Sequence, residues 1–326
     1  MKEEEIRKRD VFNKYIELVE KDVKDFFEFS SFLETNCPAC GSSNFIIEFE
    51  KLSFKYVSCK TCSTLFVNPR PPLAVLKKFY SKSPSTSFWV NEFFKPVAEV
   101  RREKVFKPRA EYISKVIDTN KKLVIGDIGA GFGLFLEEMK KMLPDNHYIA
   151  IEPSDDMAFI CIEKGLETKC IYLEDLDTSK IGFDLLTIFE LSEHLFEPIS
   201  FFKKAYSLLK PEGCLFLTTL NGKGFDITLL WEKSKSIAPP QHLNFFNPTS
   251  IKYLLERVGF EIVEISTPGM LDWDIVEGMI KNEGVKQGRF WDLLAEEGSE
   301  KCKRELQGWI SKNNLSSHMR VVARKL

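Results

Sequence analysis

The 326-residue sequence predicts an α/β protein, in which an open and mostly parallel sheet carries helices on both faces behind a small metal-binding module. Strand and helix patterns alternate from residue 123 onward, which predicts the sheet. A glycine-rich turn at 129–133 joins the first of these strands to a helix. Two Cys-x-x-Cys pairs near the N-terminus predict the small module.

Composition and charge narrow the class of protein. The chain has 46 basic and 48 acidic residues and a net charge of −2. This balance argues against a dedicated nucleic-acid binder, because such proteins usually carry a basic excess. No window holds the ~18–20 apolar residues of a membrane span, and residues 1–5 are too charged for a secretory signal. We therefore expect a cytoplasmic protein.

The first 72 residues divide into two predicted parts. Residues 1–34 are predicted to form one amphipathic helix, which could pack on the body or mediate self-association as a homodimer. Residues 35–72 contain Cys37 and Cys40, then Cys59 and Cys62, with 18 residues between the pairs. This spacing predicts a Cys₄ zinc ribbon, whose closed Zn²⁺ site is structural. The remaining cysteines are predicted to be thiols with no shared role: Cys161, Cys170, Cys214 and Cys302.

Residues 73–118 are predicted to be a helical connector, with a short helix at 73–80 and a long one at 88–112. The long helix carries five basic residues: Arg101, Arg102, Lys104, Lys107 and Arg109. They form either a solvated face or a site for phosphate on a nucleotide-linked substrate, which guanidinium groups bind well.

The glycine-rich turn is the most informative segment. Its pattern, Asp127-x-Gly129-x-Gly131-x-Gly133, lies between an apolar strand and a helical stripe at 134–143. A dinucleotide fingerprint would need glycine at position 134, and the Gly-Lys-Ser/Thr of a phosphate loop is absent. Glycines let the backbone approach a ligand closely, although such a turn can also be a simple tight connection.

Glu152 strengthens the ligand interpretation. It ends the predicted second strand at 147–151 and lies 23 residues after Gly129. An acid at this point can accept hydrogen bonds from both hydroxyls of a ribose. The alternative is an acidic residue at the N-terminus of a helix, since 153–156 has the composition of a helix cap.

The later elements continue the alternation. Strands are predicted near 168–172 and at 183–189, 214–220, 260–266 and 320–324, with helices at 154–164, 198–210 and 247–259 and a helical insertion at 267–317. If the last strand is antiparallel, three of the four histidines meet at one sheet edge: His194, His242 and His318. His147 is predicted to be structural. Asp272 and Asp274 could also face a substrate.

The glycine turn resembles motif I of class I S-adenosylmethionine (SAM)-dependent methyltransferases. This resemblance implies a Rossmann-like seven-stranded sheet over 119–326 with strand order 3-2-1-4-5-7-6 and the last strand antiparallel. It also implies that SAM is the cofactor. The cofactor-binding residues implied are Asp127, Gly129, Ala130, Gly131, Gly133, Glu152, Leu173, Glu174, Phe189 and Glu190. Leu173 and Glu174 follow the third strand, where this fold usually contacts adenine.

Two later segments also resemble small-molecule methyltransferases: Glu-His-x-x-x-Pro at 193–198 and Pro-x-His-Leu-x-x-Phe-x-Pro at 240–248. They place His242, His194 and Glu193, and less directly His318, as candidate catalytic groups. Histidine titrates near neutral pH and suits removal of an acceptor proton. For each single histidine, packing or helix capping is the alternative.

The order of a Cys₄ ribbon, Asn68-Pro-Arg-Pro71 and the glycine-rich domain resembles a group of bacterial sugar and surface-polysaccharide methyltransferases, including sugar C-methyltransferases. This implies a nucleotide-linked sugar or glycan precursor as the substrate. Two alternatives stay open. One is an RNA base methyltransferase, disfavoured by the charge, and the other is an inactive zinc-ribbon adaptor, disfavoured by the intact motif I and Glu152.

Overall fold

The computed structural model describes residues 2–118, 120–177 and 181–326. Within these residues the strands form two sheets. Their bounds are β1 Phe45–Lys51, β2 Phe54–Cys59, β3 Leu65–Val67, β4 Val124–Ile128, β5 His147–Ile151, β6 Glu167–Lys169, β7 Phe183–Phe189, β8 Leu209–Leu220, β9 Asn244–Phe245, β10 Phe260–Ser266 and β11 His318–Lys325.

The α-helices of the described residues lie in the N-terminal region, between the strands, and in the segment before β11. Their bounds are α1 Glu3–Ile6, α2 Arg9–Phe26, α3 Leu73–Lys82, α4 Pro84–Phe88, α5 Ala98–Arg101, α6 Lys107–Val116, α7 Leu134–Met142, α8 Asp155–Glu163, α9 Pro198–Leu208, α10 Phe225–Leu230, α11 Pro248–Val258, α12 Asp272–Glu283, α13 Arg289–Glu297 and α14 Glu300–Lys312.

The larger sheet confirms the predicted fold class. Its order is β6-β5-β4-β7-β8-β11-β10, in which β11 runs antiparallel to both neighbours and the other pairs are parallel. β4 lies next to the central strand, β7, and Gly126 within β4 has no room for a side chain. A Cβ atom at Gly126 would lie 2.6 Å from a ring carbon of Phe183. Because these strands are parallel, their carboxyl ends meet at one edge of the sheet, as the alternation of strands and helices predicts.

The smaller sheet joins the cysteine-rich segment to the larger domain. Its order is β1-β2-β3-β9, and β9 comes from the loop region far along the chain. Leu65 and Phe66 of β3 pair with residues of β9. The cysteines also share one buried cluster with the apolar residues of α11. The small module is thus built into the side of the larger domain.

The N-terminal region differs from the single helix predicted over 1–34. Helix α2 ends at Phe26, because the next residue adopts extended backbone angles and buries its ring. The Phe27 ring packs 5.4 Å from that of Phe54 and 5.5 Å from that of Phe79. The apolar face of α2 contributes to the same buried cluster. Tertiary packing thus ends this helix before its helical pattern does.

The predicted long helix at 88–112 is an irregular helical path instead. Wide turns occur at Trp89–Phe94 and Arg102–Phe106, on either side of α5. Pro96 and Pro108 follow these two turns. Proline has no amide hydrogen and clashes with the carbonyl four residues earlier, so the turn before it widens.

The segment before β11 is helical and is formed by α12, α13 and α14. Trp273, Val276 and Ile280 of α12 pack with Leu230 of α10 in a separate buried cluster. In the described residues, no helix has both the length and the apolar character needed to cross a membrane.

Candidate active site

The glycine-rich turn connects β4 to α7 at the carboxyl edge of the sheet. Gly129, Gly131 and Gly133 all have positive φ angles, of 71°, 55° and 69°. The amide of Gly129 donates to the carbonyl of Ile151 at 2.8 Å, which ties the turn to the end of β5. A Cβ atom at Gly131 would meet nothing within 4 Å, so the turn presents bare backbone to open space there. Ala130 lies between these glycines.

Asp127 lies at the end of β4, beneath the turn. It is buried, and its carboxylate accepts a hydrogen bond from Thr187 Oγ1 at 2.7 Å. Burial raises the pKa of Asp127 to about 7, although the Thr187 hydroxyl and Arg109 lower it. A cation placed beside this carboxylate would therefore favour its charged form.

Glu152 follows β5 and is also buried. Its two carboxylate oxygens accept from the amides of Gly131 at 2.8 Å and Ser154 at 2.9 Å. Burial raises the pKa of Glu152, against these two backbone hydrogen bonds. The structure thus shows both features considered from the sequence, an acid beside the glycine turn and a group that caps the start of α8.

The remaining residues predicted to bind the cofactor occupy different environments. Leu173 is buried and Glu174 is exposed, in a short turn after β6. Phe189 ends β7 and packs against the rings of Phe135, at 4.8 Å, and Phe216, at 6.0 Å. The turn after β6 lies at the same sheet edge as Glu152. Phe189 packs beneath this edge and supports Glu190, the next residue in the chain.

Glu190 forms a bidentate ion pair with Arg109 of α6, with N–O distances of 2.8 and 2.9 Å. It also accepts from Thr218 Oγ1 at 2.8 Å and lies 3.5 Å from His318 Nδ1. Burial raises the pKa of Glu190, but Arg109 and His318 outweigh it and hold the value at about 2. The Glu190 and His318 side chains keep 34% and 32% of their surface accessible, so both are only partly buried at this edge of the sheet.

Three other predicted residues form a compact cluster, and two of them closely follow Glu190 in the chain. Glu193, His194 and His242 each contribute one donor atom to a group in which all atoms lie within 4.8 Å of one another. The two imidazole rings meet edge to face at 4.8 Å. Thr219 Oγ1 donates to Glu193 at 2.7 Å, and the His242 Nδ1 hydrogen is donated to the carbonyl of Ser236 at 2.6 Å.

The pKa values of this cluster are strongly shifted. Burial, with the neighbouring His242, lowers the pKa of His194 to about 3, and burial lowers that of His242 to about 4. Burial and the nearby Glu190 carboxylate raise the pKa of Glu193 to about 8. Both histidines are therefore neutral near pH 7 and present a lone pair, as a proton acceptor or metal ligand must.

His318 and the two aspartates before it separate in the structure. His318 begins β11 opposite Leu220 and lies beside Glu190, as the antiparallel strand predicts. Asp272 is buried and accepts from Ser316 Oγ and the Ser317 amide, which fixes the start of β11. Asp274 pairs with Lys2 at 2.9 Å instead. The exposed His147 pairs with Glu167 at 2.6 Å on another part of the sheet.

Most of the basic residues in the predicted 88–112 helix do not form a solvated face, because they are buried or paired with carboxylates. Arg102 is buried between Glu99, Glu137 and Glu138. Lys104 and Lys107 pair with Glu5 and Glu103 near the surface. Arg101 lies over the Phe94 ring at 4.6 Å and makes no ion pair within the described part of the chain. Its Nε atom is buried without a hydrogen-bond partner.

The four N-terminal cysteines converge on one point. The Sγ atoms of Cys37 and Cys62 are 3.5 Å apart, as are those of Cys40 and Cys59, and all four lie within 4.8 Å of one another. The two Cys-x-x-Cys turns share one pattern: the residue after each pair donates its amide to the carbonyl of the first cysteine. These residues are Gly41 and Ser63, and both have positive φ.

The larger domain holds both turns in place. Asn247, the N-cap of α11, donates from its side chain to the carbonyls of Cys62 and Ser63, at 3.0 and 2.9 Å. Arg257 donates to the carbonyl of Ala39 at 2.6 Å. Four thiols at this separation suit tetrahedral zinc, and no ligand position is left for a substrate.

Several functional contacts were not predicted from the sequence. Tyr80 Oη lies 3.2 Å from both His194 Nδ1 and the carbonyl of Gln241. Thr187, Thr218 and Thr219 bind the carboxylates of Asp127, Glu190 and Glu193. No local pattern predicts that Tyr80 contacts His194, which is 114 residues away in the chain. The threonines near the ends of two neighbouring strands, in contrast, could have been predicted as partners of these carboxylates.

Comparisons with known proteins agree with this geometry. A family model described as a methyltransferase domain matches residues 98–265, just over half of the chain. The chain is 28% identical over 176 residues to a "Ubiquinone biosynthesis O-methyltransferase" of Xanthomonas axonopodis pv. citri, covering 50% of this chain and 72% of that protein. It is 30% identical over 125 residues to the protein of the same name from Neisseria meningitidis serogroup C, covering 35% and 50%.

A solved structure has a similar fold. The plantazolicin methyltransferase BpumL in complex with SAH superposes with a TM-score of 0.51 at 15% identity, covering 77% of this chain and 93% of that chain.

Proposed function

The chain belongs to the methyltransferase-domain family and is a SAM-dependent methyltransferase, and we propose that its acceptor is a hydroxyl group of a small polar substrate. The Glu193, His194 and His242 cluster carries this proposal, because it sets two neutral imidazoles at the carboxyl edge of the sheet, close to the turn that holds Glu190. Oxygen is a poor nucleophile until its proton is removed, and a neutral imidazole can accept that proton.

On the cofactor side, we assign the backbone of Gly129, Ala130, Gly131 and Gly133 to contact with SAM. Asp127 would face the cationic amino-acid end of SAM, and Glu152 would exchange its two backbone hydrogen bonds for the ribose hydroxyls. Leu173 and Glu174 would lie against the adenine, with Glu190, supported by Phe189, between the cofactor and the acceptor. These roles follow from the positions of the side chains at the sheet edge and from the family.

In the reaction, the acceptor oxygen attacks the methyl carbon in line with the carbon–sulfur bond. The new carbon–oxygen bond forms as the carbon–sulfur bond breaks, and the electron pair returns to sulfur to give neutral S-adenosylhomocysteine. The acceptor proton passes to Nε2 of His242 or His194. Glu193 positions these rings, and His318 with Glu190 would line the acceptor site.

For the substrate class, we propose a nucleotide-linked sugar or a surface-glycan precursor. The order of the cysteine module, the Asn-Pro-Arg-Pro segment and the catalytic domain supports this class. An acceptor site lined by carboxylate, imidazole and hydroxyl groups would also suit a substrate with several hydroxyls. Burial lowers the pKa of Arg101 to about 10, and this cation without an ion pair would suit a phosphate group.

The names of the relatives favour a second substrate class. Both relatives described above are named for O-methylation in ubiquinone biosynthesis. A hydroxylated precursor of a quinone would use the same proton acceptor, but it would place an apolar ring in the acceptor site. The two classes therefore differ in substrate and agree on the acceptor atom.

We further propose that Cys37, Cys40, Cys59 and Cys62 bind a structural Zn²⁺ ion. Its purpose would be to hold β1, β2 and β3 against β9, which is only two residues beyond His242. A zinc site at this place would stabilise the loop that carries His242 without touching the substrate.

The first test is isothermal titration with S-adenosylhomocysteine. Micromolar binding that Asp127→Ala and Glu152→Ala both weaken is expected. Transfer of labelled methyl from SAM to a panel of nucleotide sugars and quinone precursors would then identify the acceptor. His242→Ala should abolish transfer and retain S-adenosylhomocysteine binding, and His147→Ala is the matched control. Binding without transfer to any nucleotide sugar would refute the sugar proposal, and equal turnover by His242→Ala would refute the assigned proton acceptor.

A further inference from the structure

We propose that the buried carboxyl groups of Asp226 and Asp272 share one proton, which makes a pH-sensitive contact between α10 and the helices that precede β11. Asp226 lies in α10, and Asp272 is the first residue of α12. The two residues are 1% and 3% exposed. This contact is separate from the cluster of His194 and His242, and it does not depend on the identity of the methyl acceptor.

Asp272 is a fully bonded carboxylate. One of its oxygens accepts from the amide of Ser317 at 2.6 Å. The other oxygen accepts from Ser316 Oγ and from Gln307 Nε2, both at 2.8 Å. Hydrogen bonds to a carboxylate favour its charged form, and Asp272 has three of them. Asp272 is therefore the partner that stays ionised.

Asp226 has the opposite surroundings. Both of its oxygens are buried, and within the described residues neither accepts a hydrogen bond of good geometry. The side chains of Asp272 and Ser317 lie within hydrogen-bonding reach of Asp226. An ionised carboxylate without donors is costly inside a protein, and a second carboxylate beside it adds repulsion. A proton on Asp226 relieves both costs, because the protonated group donates a hydrogen bond to Asp272.

The electrostatics of the surroundings agree with a proton on Asp226. Burial, and after it the Asp272 carboxylate, raises the pKa of Asp226 to about 8. Within the described ranges, Asp226 has no basic partner that would oppose this shift. Burial lowers the pKa of His318, so this residue is neutral above about pH 7. Charged groups on the packed elements have partners of their own: Asp274 with Lys2, Glu277 with Lys281 and Lys303, and His318 with Glu190.

The shared proton lies where four elements meet. Ser316 and Ser317, which bind Asp272, directly precede β11. The start of α10 packs against the same point, because a Cβ atom at Gly224 would lie 2.2 Å from Ser317 Cα. Gln307 joins α14 to Asp272 as well. Such close packing leaves little room for two like charges to move apart, so ionisation of both groups would loosen α12 from α10 and β11.

The pH dependence follows from the raised pKa of Asp226. The folded chain keeps the shared proton up to about pH 8, whereas the unfolded chain releases it near pH 4. The contact therefore stabilises the fold fully below about pH 4, and this contribution is lost as the pH rises to about 8. Local opening of α12 should become up to about tenfold more frequent for each pH unit in this window.

The test measures amide hydrogen exchange of the full chain by mass spectrometry at about pH 6 and about pH 9. Protection factors, which correct for the intrinsic exchange rate, should fall by about 10–100-fold in α12 of the wild type. Asp226→Asn should prevent this fall, because its amide still donates to Asp272 and does not titrate. The matched control is Asp274→Asn, on the same helix but paired with Lys2, and it should keep the fall.

Urea unfolding gives a second readout. Asp226→Asn should have a higher urea midpoint than the wild type at about pH 9, since only the wild type then carries two buried charges. Equal changes of protection with pH in wild type and Asp226→Asn would overturn the shared proton. If Asp226→Asn does not fold, the wild type alone decides. Protection of α12 that stays constant relative to β4 between about pH 6 and 9 would overturn the pH-sensitive contact.

Discussion

Two glycines of the same turn should respond to alanine in opposite ways. Gly131→Ala is expected to weaken cofactor binding with little loss of stability, and Gly133→Ala is expected to destabilise the fold. Both residues have positive φ, 55° and 69°, so both substitutions carry the same kind of backbone strain. They differ in what the new methyl group meets.

The magnitudes follow from these surroundings. Positive φ costs an alanine about 1–2 kcal/mol, and the less flexible unfolded chain offsets about 0.4–1 kcal/mol of it. At Gly131 nothing lies within 4 Å of the new Cβ, so the net loss should be about 1 kcal/mol. At Gly133 the Cβ would lie 2.5 Å from Leu166 Cδ1 and 3.1 Å from Cys161 Sγ. Both neighbours are buried, and overpacking adds about 1–3 kcal/mol.

The assay pairs urea unfolding with calorimetric titration of S-adenosylhomocysteine. Gly131→Ala should bind S-adenosylhomocysteine roughly tenfold or more weakly, because its methyl group would press against the ligand. A tenfold loss of affinity corresponds to about 1.4 kcal/mol of binding free energy. Gly133→Ala should unfold at lower urea by a free energy of roughly 2–4 kcal/mol. Wild-type affinity in Gly131→Ala would refute the placement of the cofactor against this turn. Equal stability of the two variants would refute the packing analysis.

Three further predictions concern charge and metal. Asp127→Asn removes a carboxyl group whose pKa is raised by burial to about 7. Between about pH 4 and 7 the folded wild type therefore binds more protons than the unfolded chain. Relative to the variant, the free energy of unfolding of the wild type should fall by at most about 4 kcal/mol as the pH rises through this window. Parallel stability–pH curves for the two proteins would contradict this. Elemental analysis is expected to find zinc in the wild type and in Cys302→Ser, which changes an exposed cysteine outside the cluster, but not in Cys62→Ser. Arg109→Met removes the ion pair of Glu190, and Arg109 helps to hold the pKa of Glu190 at about 2. The variant should lose about 1–3 kcal/mol of free energy of unfolding at pH 7. This range is smaller than for a fully buried pair, because solvent partly screens the accessible Glu190. Lys107→Met is its control, and equal urea midpoints would exclude a stabilising role for the pair.

The sequence determined the sheet and the position of the cofactor turn because both depend on local patterns. The alternation of strands and helices after residue 123 predicts parallel strands, and parallel strands put their carboxyl ends at one edge. The turn at 129–133, the acid at 152 and the residues after β7 therefore had to meet there. The clustering of the four cysteines could also be predicted from the sequence, because two Cys-x-x-Cys pairs at this spacing allow few other arrangements of the chain.

Helix ends depended on tertiary packing. The amphipathic pattern continues past Phe26, but burial of the Phe27 ring between Phe54 and Phe79 ends α2 there. The connector also bends into wide turns before Pro96 and Pro108, where the sequence pattern predicted one long helix. Local propensity is worth tenths of a kilocalorie per residue, whereas burying an aromatic ring is worth about 1.5–3 kcal/mol, so packing decides.

The sequence alone thus determined which residue types reach the carboxyl edge of the sheet, since strand period and strand direction are local properties. Only the tertiary structure decided how they combine. Arg109 binds Glu190 across 81 residues of chain, Tyr80 reaches His194 across 114, and β9 joins the cysteine module to the loop of His242. Such pairs depend on how separate elements pack, and no spacing along the chain encodes them. The orientation of the His194 ring beside Tyr80 follows from such a long-range contact.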